Sequence, residues 1–193
     1  MTAISLIPAR WNRTGPMLLA AGLVVMAAAL VVFHTAYRTA EVMLAGIVVR
    51  SATSSGVHVS GGRQTIYFGL GSPTPFGLRM TPECTSAFLL LPLLLIGAGM
   101  ILLRPAVTRR VASALLVAAA VVVTVNQLRV LTLVGLINWL GTDRGYYWGH
   151  TFFGSMVSVF GGAVALILFV WLATRRSRAE RRAGEPPRPG SEH

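Results

Sequence analysis

The chain contains no lysine, one cysteine and only six acidic residues among 193. A single thiol excludes an internal disulfide, and no C-x-x-C or Cys/His spacing suited to zinc is present, so neither a redox scaffold nor a metal site is expected. Charged residues make up 12% of the chain against 54% apolar, with a mean hydropathy of +0.66, which excludes an ordinary soluble domain and points to an integral membrane protein. All 17 basic residues are arginine and the formal net charge is +11. On a soluble protein that charge would suggest nucleic acid. Here the arginines flank apolar runs, so orientation in a bilayer and contact with anionic lipid account for them.

A hydrocarbon core of roughly 30 Å is crossed by about 20 apolar helical residues. Three segments have that length, at 16–37, 84–103 and 150–173. A fourth, at 111–140, would measure roughly 45 Å as one helix, so it is expected to tilt, protrude or break, with Gly135 the natural break. The apolar run 42–49 is too short to cross and reads either as a continuation of the first helix or as an interfacial segment. Ala27-Ala28-Ala29 has the small residues of a cleavage site, but more apolar chain follows it, so the first span is expected to remain as an anchor. The expected fold is all-α: a four-helix transmembrane bundle over residues 16–173, with a small extracytoplasmic β-hairpin-like element in an outer loop at 38–82.

Arginine placement sets the orientation. Arg10 and Arg13 precede the first span, Arg104, Arg109 and Arg110 join the second to the third, and Arg175, Arg176, Arg178, Arg181 and Arg182 follow the fourth. With four crossings these groups share one side, which the positive-inside rule makes the cytoplasmic side of a cell membrane. Residues 1–15 are then a cytoplasmic N-terminus, and 38–82 and 141–149 lie outside. Val57 and Val59, then Ile66 and Phe68, alternate around Ser60-Gly61-Gly62 and predict a short hairpin. The following stretch, GSPTPFGLRMTPE, reads as turns. Tyr146, Tyr147 and Trp148 suit an interfacial aromatic belt. Residues 174–193 are charged, carry three prolines and are expected to form a disordered basic tail.

Three reactive residues fall at one depth in this arrangement. Cys84 begins the second span and His150 the fourth, both at their outer ends. Arg129 lies 19 residues beyond Arg110, a rise of roughly 28 Å along a helix. An imidazolium or guanidinium beside a thiol favours the thiolate that attacks carbonyls. Histidine can also give a proton to a leaving amine, and arginine can hold an oxyanion or carbonyl as a fixed cation. Each residue has a plainer reading: a packing thiol, an interfacial imidazole and an arginine that snorkels to the outer surface. A charge inside a span nevertheless makes a functional site the default. Asn126, three residues before Arg129, can hold its guanidinium, face substrate or pack between helices. Glu83 reads as a helix-start cap or an arginine partner. His34 is near the outer end of the first span and within reach of the site, whereas His58 sits in the hairpin facing water.

Glu83-Cys84-Thr85-Ser86 opening one membrane helix, Asn126-Gln127-Leu128-Arg129 late in the next and His150-Thr151-Phe152-Phe153-Gly154 opening the last resemble the exosortase/archaeosortase family. The resemblance covers residues 51–171, in the family's order of Cys, Arg and His. It implies a membrane-embedded cysteine transpeptidase or protease without a cofactor. Its protein substrates would carry a C-terminal sorting signal composed of a short motif, a transmembrane helix and a basic cluster. By that likeness Cys84 is the nucleophile, His150 the general acid/base and Arg129 the stabilising cation, with Thr85 beside the nucleophile in a supporting place. The alternative is a non-enzymatic membrane assembly subunit in which Arg129 pairs with a partner helix and Cys84 only packs.

Overall fold

The computed structural model describes residues 14–53, 56–71 and 75–175, with only the backbone given at Glu83. Of the tail expected over 174–193, Thr174 still belongs to the last helix and residues 176–193 lie outside the described residues, as do the first arginines, Arg10 and Arg13. The chain opens with α1 (Thr14–Val32), followed after a one-residue break at Phe33 by α2 (His34–Ala52). The expected first span at 16–37 therefore divides in two, and the run 42–49 belongs to the continuation. Pro16 lies beside Leu102 and Leu103 at the foot of the next apolar helix, while Glu41 bonds Ser86 at that helix's head. A straight helix from Pro16 to Glu41 would rise about 38 Å, against about 25 Å from Leu103 to Ser86. The path must tilt or bend, and the non-helical ψ of 28° at Phe33 is where it gives.

Beyond α2 the alternating apolar pattern forms strands. β1 (Gly56–Ser60) pairs antiparallel with β2 (Thr65–Leu70), in the register Val59 to Ile66 and His58 to Tyr67. A third strand, β3 (Phe76–Arg79), completes the sheet on the other side of β2. The reading of that stretch as turns is corrected here: Phe76 and Leu78 face Phe68 and Ile66 across the ladder, and this cross-strand packing overrides the local glycine and proline signals.

A 3-10 turn (Pro82–Cys84) leads into α3 (Ala87–Leu103), and a second (Pro105–Val107) leads into α4 (Thr108–Leu140). The long apolar segment does not break at Gly135. It continues as one helix of 33 residues, about 50 Å, whose upper part is covered by α2 and the sheet. α5 (Thr142–Tyr146), a π-helical turn (Tyr147–Phe153) and α6 (Gly154–Thr174) then return antiparallel along it. Among the described residues three stretches can cross a membrane by length and composition, namely Thr14–Val32, Pro105–Leu140 and Thr142–Thr174, whereas α3 is an apolar helix of 17 residues. Two cores result. The lower one packs α1, α3, α4 and α6 around Ile101, Ala118, Val122 and Phe169. The upper one packs α2 and the sheet against α4 through Val42, Val49, Ile66, Phe68 and Val134. Polar residues gather at the seam between them.

Candidate active site

Cys84 ends the 3-10 turn that Pro82 opens, a position where proline's fixed φ is already suited to the first turn. Its amide donates to the Thr81 carbonyl at 3.0 Å. The Thr81 hydroxyl donates to Sγ at 3.3 Å, and Nε2 of His150 stands 3.8 Å from the same sulfur. A half-buried thiol thus has an imidazole on one side and a hydroxyl on the other, across 66 residues of sequence.

The segment carrying His150 is placed by glycines. Gly145 packs on the backbone at Ile137, Gly149 on Leu133 and Gly154 on Arg129, each so close that a Cβ would lie 2.5–3.1 Å from the facing residue. The α4 positions step by four, from 137 to 133 to 129. The facing glycines step by four and then by five. The π-helical turn absorbs the extra residue, so Gly154 stays in line while His150 projects from the widened turn toward Cys84. Tyr146, one turn earlier, stacks on the imidazole with ring centroids 5.3 Å apart and an interplanar angle of 23°. Tyr146, Tyr147 and Trp148 are all exposed, and of the three Tyr146 is the one that stacks on the imidazole.

Arg129 is half-buried. Its guanidinium lies against Gly154, with no hydrogen-bond or ion-pair partner among the described residues. It heads a cavity of about 800 Å³ shared with Thr85, Ser86, Asn126 and His150. The remaining lining is largely apolar: Phe88, Leu89, Pro92, Leu93 and Ile96 on α3, Val159, Gly162, Ala163 and Leu166 on α6, and Val122 and Val125 on α4, with Thr151, Ser155 and Ser158 adding hydroxyls. Pro92 has no N–H to return to the Phe88 carbonyl, so that carbonyl lacks its usual helical donor beside the cavity.

The sequence reading missed a carboxylate at the seam. Glu41 on α2 is 4% exposed and accepts the Ser86 amide at 3.1 and 3.2 Å and the Asn126 side-chain amide at 3.2 Å. The Tyr37 hydroxyl, one turn earlier, bonds the Ser86 hydroxyl. Burial pushes the Glu41 carboxyl above the usual carboxylate range, and the hydrogen bonds from Ser86 and Asn126 oppose that rise. An acidic residue beside the apolar run 42–49 was the available signal. Its partners, 45 and 85 residues away, left no local pattern.

The remaining predicted residues divide. Thr85 lines the cavity, its hydroxyl donating to the Pro82 carbonyl at 3.1 Å. Asn126 is turned to Glu41, and no bond to the Arg129 guanidinium occurs among the described residues. His34 is exposed and bonded locally to Val31 and Thr35, and His58 is exposed beside Tyr67. The side chain of Glu83, expected to cap the helix or to meet an arginine, lies outside the described residues. Among those residues no group of three His, Cys, Asp or Glu side chains could hold a metal ion. No family model, curated protein or solved structure matches the chain.

Proposed function

We propose that the chain is a membrane-embedded cysteine peptidase or transpeptidase of the exosortase/archaeosortase kind. The observation that carries this reading is the 3.8 Å approach of the Cys84 sulfur to Nε2 of His150, a residue that lines the same cavity as Arg129 and Thr85, the neighbour of Cys84. A packing thiol in an assembly subunit has no need of these neighbours.

The chemistry follows from the groups. His150 takes the thiol proton, and the thiolate attacks the carbonyl carbon of a substrate peptide bond. The oxyanion that forms is held by Arg129, whose planar fork stays charged throughout. The tetrahedral intermediate collapses as the His150 imidazolium gives its proton to the leaving amine, which leaves a thioester on Cys84. An acceptor amine or water then attacks the thioester, His150 takes its proton, and the thiolate departs.

In this reading α3 is a fourth crossing, the arginine-rich ends and the loop between α3 and α4 are cytoplasmic, and Cys84 works at the outer face of the cell membrane. The substrate is a protein with a C-terminal sorting motif, a transmembrane helix and a basic cluster. Its helix lies along the apolar cleft between α3 and α6, and the bond to be cut lies at the polar head. The test is labelling of Cys84 with a membrane-impermeant thiol reagent in intact cells. The expected result is outward-facing reactivity that falls when His150 or Arg129 is replaced. Reactivity independent of both residues would favour the assembly subunit.

A further inference from the structure

Glu41 takes no part in the reaction sketched above, yet it touches both arms of the site. Ser86, whose amide both its oxygens accept, is two residues beyond Cys84 and 1% exposed. Asn126, whose side-chain amide Oε1 accepts, is on α4 one turn below Arg129 and 7% exposed. The carboxylate also lies at the N-terminal end of α3, where the unpaired amides of a first turn favour negative charge. The Tyr37 hydroxyl holds the Ser86 hydroxyl from the preceding turn of α2, so the Ser86 backbone and side chain are both fixed by that one helix. No arginine forms an ion pair with Glu41 among the described residues, which leaves the carboxylate satisfied by these amide donors.

Burying a carboxylate is costly, and an apolar side chain of similar volume would join α2, α3 and α4 at least as strongly. A carboxylate there supplies direction, because two acceptor oxygens fix two donors on different helices at once. We propose that Glu41 is the positioning residue of this site, holding the Cys84 turn and the Arg129 helix at a fixed separation through one buried carboxylate. The inference rests on the cysteine-nucleophile reading. It adds that α2, outside the helices that carry the reacting groups, sets their relative geometry.

The test uses the full chain in detergent, with the alkylation rate of Cys84 measured with neutral iodoacetamide and with anionic iodoacetate. The absolute rate reports the environment of the sulfur, and the ratio of the two reports a cation beside it. Glu41→Gln keeps one oxygen able to accept from both Ser86 and Asn126 and is expected to retain most of the rate and the ratio. Glu41→Leu loses both acceptors and should lower the iodoacetamide rate by about tenfold or more, the scale of a small misplacement of reacting groups, with the iodoacetate preference abolished. Asn126→Ala frees only the α4 arm, so it should lower the ratio while leaving the iodoacetamide rate within about twofold. This variant decides the matter if Glu41→Leu fails to fold. A Cys84 that is unreactive in the unsubstituted chain sinks the nucleophile reading and this inference with it. A reactive Cys84 whose rate and ratio ignore the folded Glu41→Leu variant, or whose ratio ignores Asn126→Ala, sinks the inference alone.

Discussion

Gly154 faces Arg129 across the interface of α4 and α6, and the space its missing Cβ leaves is where the guanidinium lies. A Cβ there would stand 3.1 Å from Nε of Arg129 and 2.8 Å from the carbonyl oxygen of Gly149. Gly154→Ala is therefore expected to displace the arginine and lower substrate processing by about tenfold or more. Alanine in place of glycine within a helix otherwise gains up to about 1 kcal/mol. Here the 2.8 Å approach to the Gly149 carbonyl forces the backbone of the π-helical turn to shift, so lost activity with a lowered melting temperature is the expected pair of results. Wild-type processing by the alanine variant would separate the guanidinium's position from the chemistry.

His150 and His34 make opposite predictions. His150 contacts the sulfur, whereas His34 is exposed and bonded to its own helix turn. Replacing His150 with alanine should cut processing by about 10²- to 10⁴-fold, and His34→Ala should change it little. The measurement is cleavage normalised to membrane-inserted protein. The reverse order of effects would remove His150 from the acid/base role.

For Arg129 the lysine variant separates charge from geometry. An arginine that only balances lipid charge tolerates lysine, because an ammonium on a flexible stem does the same. One that holds an oxyanion with its planar fork does not. Arg129→Lys is expected to lose most activity at unchanged protein level, and a fully active lysine variant would reduce the residue to an electrostatic bystander.

Much of this constellation is legible in the sequence, for a physical reason. Cys84 and His150 each stand where an apolar run begins, and Arg129 is a charge within one, so span length and the rise per residue bring all three to one depth. Glu41 was not legible because its role is made by Ser86 and Asn126, on helices that the chain reaches only later. β3 was hidden by the prolines and glycines around it, and only its pairing with β2 makes it a strand. That α4 runs unbroken through Gly135 was one of the outcomes its length left open. Helix packing against α2 and the sheet decides it, and local propensity does not.

The raised Glu41 carboxyl predicts a pH dependence of stability. A folded-state pKa above the ordinary value of 4.5 means that the native state holds the proton more tightly than the unfolded one. The resulting stabilisation is present in full below the unfolded pKa and is lost as pH rises through the folded one. Melting temperature should accordingly fall as pH rises above about 4.5, and Glu41→Gln should flatten that decline. An identical profile in both proteins would show that the carboxyl is not held in the way its burial implies.

Whether Cys84 is the nucleophile of a peptidase acting on membrane-anchored proteins is decided by sequencing the C-terminal peptides of envelope proteins. Cells carrying the wild-type chain are compared with cells carrying Cys84→Ala at equal membrane level. Alanine suits the end of the Pro82–Cys84 turn, so the variant is expected to remove only the thiol. At least one envelope protein is expected to end before its last transmembrane helix in the wild type and to retain that helix and its basic cluster in the variant. Identical C-termini throughout the envelope in the two strains would contradict that role for Cys84.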